Sequence, residues 1–264
     1  MSALQVTIEG VGVWNPQLGS FAALQDWLAG REVAPPSRPA AATLPANERR
    51  RAPESVLLAS EVAGQAVAMS GRAPGELACV FTSSHGDQAI TDYMCATLAS
   101  APAELSPTKF HNSVHNAPVG YWTIATECHA ASTAVCAHRL SFGAGLLEAA
   151  ALALADARPV LLVCSDVAGS GPLREVTYCE QSFGCAMVLA PAAAGDRHGI
   201  ATLRLTLGRR AEPAAPRPAL ASWLAGNPAA GALDLLAPLA LREAGASVPV
   251  SAQMALHVTM EYAG

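Results

Sequence analysis

Between Gln5 and Trp14 apolar and polar positions alternate in a β-branched run that stops at Asn15-Pro16, a pattern that predicts a first strand and a turn. A short helix is expected from Phe21 to Gly30. Residues 34–53, rich in Pro, Ala and Arg, carry no apolar period and read as a surface loop. From Pro53 to Met69 the apolar positions Val56, Leu57, Ala59, Ala63, Ala66 and Val67 recur at helical spacing, and Ser70-Gly71 supplies a stop. Leu77 to Thr82 is an unbroken apolar strand. It leads through Ser83-Ser-His-Gly-Asp87, where Asp87 can cap the next helix, predicted from Gln88 to about Leu98.

Further along, Ser132 to Val135 reads as a short strand and Phe142 to Ala157 as an alanine- and leucine-rich helix. Pro159 to Ser165 is almost wholly apolar, as a strand covered on both faces must be. Gly169-Ser-Gly171 does not fit the Gly-x-Ser-x-Gly pattern of a hydrolase and is expected to be a loop turn before a strand at Cys185 to Ala190. Beyond Pro191 the chain turns Pro- and Ala-rich around two strands, Ile200 to Leu207 and Ala255 to Tyr262, expected to form a sheet edge or cover. Strands alternating with helices in this way predict an α/β fold with a layered sheet.

Composition narrows the function. With 52% hydrophobic and 14% charged residues the chain is globular and unusually apolar, and part of that apolar surface is expected to lie at an interface. A net charge of −5 and a single lysine, Lys109, give no basic stripe for nucleic acid. The N-terminus lacks a basic region followed by an apolar one, and Glu148, Asp156, Arg158 and Pro159 interrupt the most apolar stretch, so a cytoplasmic protein without a membrane span is expected. Seven cysteines without Cys-x-x-Cys spacing read as reduced, mostly buried thiols. Cys128-His129 with Cys136 and His138 makes a poor zinc set, because adjacent side chains do not easily reach one ion, and neither metal nor cofactor is expected.

The run from Ser106 through Asn116, Gly120 and Thr123-Ile124, followed by a strand, a turn bearing Cys136, an alanine-rich helix and Asp156-Ala157 before Val160-Leu-Leu-Val163, resembles the N-terminal half of β-ketoacyl synthases, of the thiolase superfamily. The likeness is strongest over residues 5–190, with 191–264 as a tail of the same single domain. It is closest to short, chain-length-factor-like members found with aryl polyene and related pigment clusters, which share the Asn112-Ser-Val-His-Asn-Ala-Pro118 and Gly120-Tyr-Trp122 signatures and a Gly226-Asn227-Pro228 in the tail. The resemblance implies a thiolase-like layered α/β/α architecture, one N-terminal half of a ketosynthase fold. The histidine motifs of the second half do not appear between 190 and 264.

A condensing enzyme of that family needs a cysteine thiolate at a helix N-terminus to take up the acyl group. Local similarity puts Cys136 there; counting back from Asp156-Ala157 puts His138 there, and anchoring on Glu148 puts Arg139 there. Cys136 is expected to be a buried structural thiol, and the chain to have no catalytic residue of its own. The resemblance further implies an interface and acyl-tunnel role for Lys109, Phe110, His111, Val114, His115 and Asn116, in a segment whose prolines, Pro107 and Pro118, are expected to keep it partly extended. The partner implied is a full-length β-ketoacyl synthase in a heterodimer serving polyketide- or fatty-acid-type biosynthesis, with acyl carrier protein reaching that partner. The alternatives are an acyltransferase using Cys136 with His129 or His138 as base, and a homodimer that binds an acyl ligand or is structural.

Overall fold

The computed structural model describes residues 3–192, 199–210 and 225–262. Its centre is one eight-stranded sheet in the order β3-β2-β4-β5-β1-β6-β8-β7. β2 (Ala78–Thr82) pairs in parallel with β3 (Ser132–Val135) and β4 (Val160–Asp166), while every other pairing is antiparallel. β1 (Leu4–Trp14) therefore runs mid-sheet between β5 (Phe183–Pro191) and β6 (Ala201–Arg209). Beyond β6 come β8 (Met254–Tyr262) and the short edge strand β7 (Gly245–Pro249).

Helices cover both faces. On one, α3 (Glu54–Ser70) lies along β1 and β5 and buries Leu58, Ala59, Val62, Ala63 and Ala66. The approach is close enough to require glycine: a Cβ on Gly10 would come within 2.0 Å of Ala66 O, and one on Gly12 within 2.0 Å of Val62 O. α3 ends where expected, with Gly71 left-handed at φ +68°. On the other face α7 (Ser141–Ala155) turns Phe142, Leu146, Ala149 and Ala153 onto β1, β2, β4 and β5, and α1 (Phe21–Leu28) packs on β1 in the same core. The result is the α/β/α layering that the sequence implied.

The differences from the sequence reading have local causes. Within 34–53 a short helix, α2 (Ala46–Arg51), buries no side chain, so it leaves no apolar period to detect. The tail contains a helix, α9 (Leu233–Ala240), in which every residue but Asp234 is buried; it is only eight residues long and holds Pro238 inside it, a residue that reads as a helix breaker. Gly171 is not part of a loop turn but opens α8 (Gly171–Thr177), with Pro172 in its first turn. The segment around Pro107 and Pro118 is helical rather than extended. Both prolines sit in the first turns of helices, α5 (Pro107–His111) and α6 (Ala117–Ala125), where a missing N–H costs nothing.

Candidate functional site

β2, β3 and β4 end together, and their carboxyl ends point Thr82, Val135 and Asp166 toward one corner. Crevices at such strand ends are where open α/β sheets place their ligands. Asp166 organises this one. Its Oδ1 accepts from Ser83 Oγ at 2.7 Å, Ser84 N at 2.8 Å and His85 N at 3.0 Å, which folds the turn after β2 around the end of β4. The carboxyl is 2% exposed, and burial holds its pKa above the ordinary carboxylate range against the pull of those three donors and of His85. Asp87 caps α4 (Gln88–Ser100) as the sequence predicted, accepting from Ile90 N at 3.0 Å.

The tail reaches into the same corner. Asn227 is 4% exposed; its Nδ2 donates to Asp166 O at 2.9 Å and to Gln181 O at 2.7 Å, and its Oδ1 accepts from Ala229 N at 2.9 Å. Gly226 before it has φ +81°, and a Cβ there would stand 1.4 Å from Tyr178 O, so no other residue fits. Gly226-Asn227-Pro228 was legible as a signature, but nothing in the sequence tied it to β4.

Between β3 and α7 the chain turns sharply at His138, whose φ of +51° is uncommon for a residue with a Cβ. The turn is pinned from below. The Oγ of Ser141 donates to His138 O at 2.7 Å, accepts from Ala137 N at 3.0 Å and lies 2.9 Å from Ser84 Oγ, which also donates to His138 O. His138 is thus the residue held at positive φ in a strand-turn-helix between β3 and α7. The His138 ring stands edge-on to His85, centroids 6.3 Å apart.

Cys136 lies two residues earlier, just beyond the edge strand β3, and is exposed, not buried. Its Sγ is 3.7 Å from Ser84 O. Cys79, Cys128, Cys164, Cys179 and Cys185 are buried, and burial pushes the Cys179 thiol up to about 12. Cys128 bonds to Leu77 O while His129 faces solvent, and among the described residues no three His, Cys, Asp or Glu are placed to hold a metal.

The six residues assigned to interface and tunnel fall into three groups. Lys109, over the Tyr93 ring at 4.9 Å, and Phe110, 57% exposed, project from α5. His111, Val114 and Asn116 border an open groove of about 460 Å³ whose wall also includes Tyr121 and Ile124, the latter 81% exposed. His115 is apart from these: its Nε2 is 2.9 Å from Ser83 O, tying this segment to the strand-end corner. His111 and His115, at the end of α5 and in the following turn, do not share a helix face.

No described helix is long and apolar enough to cross a membrane. No curated protein matches the sequence. Among solved structures, a ketosynthase (ApeO) in complex with its chain length factor (ApeC) from Xenorhabdus doucetiae is similar at 25% identity, over 97% of this chain and 99% of that one, with a TM-score of 0.74. The ishigamide ketosynthase/chain length factor superposes with a TM-score of 0.69 at 15% identity, over 98% and 100% of the two chains. A β-ketoacyl synthase from Burkholderia phymatum STM815 reaches 0.57 at 13% identity, over 92% and 71%. The profile of the β-ketoacyl synthase N-terminal domain matches residues 24–219. On that match and on its layered mixed sheet, the chain belongs to the β-ketoacyl synthase N-terminal domain family and has the thiolase-like ketosynthase fold.

Proposed function

We propose that this chain is a non-catalytic, chain-length-factor-like subunit that pairs with a full-length β-ketoacyl synthase and shapes its acyl tunnel in aryl-polyene-type biosynthesis. The observation that carries the reading is likeness over nearly the whole of both chains to a member of a ketosynthase–chain length factor complex. Two features of the chain support it. His138, at positive φ in the turn between β3 and α7, is read here as standing in for the thiolate a condensing enzyme needs. β3 is an exposed four-residue edge, and Phe110 on α5, Val114 in the turn after it and Ile124 on α6 are exposed apolar side chains, features that invite a second chain.

In this reading the partner supplies the nucleophile and receives acyl carrier protein, while α5 and the turn after it form the far wall of the tunnel, where bulk limits chain length. Co-expression with a neighbouring full-length synthase should give a one-to-one complex; a stable monomer indifferent to every synthase would refute the pairing. Within the complex, Phe110→Ala should lengthen the product, and an unchanged product distribution by mass spectrometry would remove Phe110 from the tunnel wall. The exposed Cys136 favours a second reading, that the chain accepts an acyl group itself. An acyl adduct seen by intact mass and lost in Cys136→Ala would replace the non-catalytic reading.

A further inference from the structure

Two buried thiols meet at the amino end of β2, away from the strand-end corner. Leu77 O accepts from Cys79 Sγ at 3.4 Å and from Cys128 Sγ at 3.2 Å, the first in β2 and the second in the connection from α6 to β3. The Cys128 thiol also hydrogen-bonds the Cys79 thiol, so the two sulfurs are direct neighbours. The backbones around them run side by side: Cys79 N donates to Ala131 O at 2.9 Å, and a Cβ on Gly75 would stand 3.0 Å from Thr126 O. The pair therefore stands at the base of everything the chain sends out between β2 and β3. That excursion comprises α4, α5 and α6 and carries the exposed apolar side chains of Leu98, Phe110, Val114 and Ile124.

We propose that Cys79 and Cys128 are a peroxide-sensitive pair that closes to a disulfide and staples this excursion to β2. Cys128 is 7% exposed and Cys79 0%, so hydrogen peroxide meets Cys128 first. Cys128 Sγ attacks one peroxide oxygen, the O–O bond breaks, the other oxygen leaves as water with the thiol proton, and a sulfenic acid remains. Cys79 Sγ then attacks the sulfenic sulfur; the S–O bond breaks and its oxygen leaves as water with the Cys79 proton. The two sulfurs lose two electrons between them, and the peroxide gains them. Burial, with Cys128 alongside, pushes the Cys79 thiol up against the pull of Arg158, so it stays protonated at neutral pH and closure quickens as pH rises. Cys164 and Cys185 also face each other, across β4 and β5, but both are shut inside the covered sheet and are expected to stay reduced. The staple does not depend on the pairing proposed above, since both thiols belong to this chain.

The test uses the full chain carrying Cys95→Ser and Cys136→Ser, which removes the exposed thiols. After brief treatment with hydrogen peroxide the intact mass should fall by about 2 Da, and digestion without reductant should yield a peptide pair joined through Cys79 and Cys128. Closure should be faster at pH 8.5 than at pH 6.5. The urea midpoint should rise on oxidation, because the bond closes a long loop, and should return to its starting value with dithiothreitol. Adding Cys128→Ser should abolish the mass loss, while the linked peptide can be read in the parent even if that variant folds poorly. An unchanged mass, a bond between Cys164 and Cys185 instead, or oxygen added to Cys128 without a bond to Cys79 would overturn the proposal.

Discussion

The two donor hydrogen bonds of Asn227 run to carbonyls of different segments, Asp166 O and Gln181 O, from a side chain 4% exposed. Asn227→Ala would leave both carbonyls buried and unpaired, a loss of about 1–3 kcal/mol in a urea titration. Asn227→Asp should be worse than alanine, because it turns a carboxylate oxygen toward two carbonyls; the reverse ranking would mean that solvent already reaches this corner. At His85, desolvation lowers the folded pKa below the ordinary imidazole value of 6.5. Its contribution to stability is therefore whole above pH 6.5 and is lost as pH falls toward the depressed value, because the unfolded chain takes up the proton first. The raised pKa of Asp166 acts the other way, giving stability that fades as pH rises. Comparing variants cancels that slope: between pH 7.5 and 5.5, His85→Gln should lose less stability than the parent, and an equal loss would free His85 of the role.

At the scale of elements, what the sequence disclosed follows from periodicity. α3 buries one stripe, so its spacing was readable, α7 was read from its run of alanine and leucine, and β4, covered on both faces, was readable as an apolar run. α2 buries nothing and leaves no contrast to detect, and α9 was hidden by its shortness and by Pro238 inside it. The candidate site was legible only in pieces. His138 emerged by counting, and His85 and Asp87 as a cap, but Asp166 sits at the end of a hydrophobic strand and Asn227 sixty-one residues further on, and only folding brings them together. The stripe on α7 makes a sharp test: Leu146, fully buried against the sheet, should cost about 2–5 kcal/mol as Leu146→Ala, measured by thermal or urea unfolding. A change under 1 kcal/mol would mean that α7 can slide to refill the gap.

For the whole molecule, the position of β1 sets the terms. The first strand lies mid-sheet between β5 and β6, so its strand neighbours are made late. At translation rates of 5–20 residues per second, β1 waits roughly 10–35 s after its synthesis before β5 leaves the ribosome. Through that interval an eleven-residue, largely apolar strand has helices of its own chain to pack on but no strand partner for its backbone. Pairing at so great a sequence separation folds slowly and exposes the chain to misassociation. Yield in the cell should thus depend on how quickly nascent β1 is shielded, and slowing translation after residue 191, once β5 is complete, should harm it less than slowing translation before residue 183.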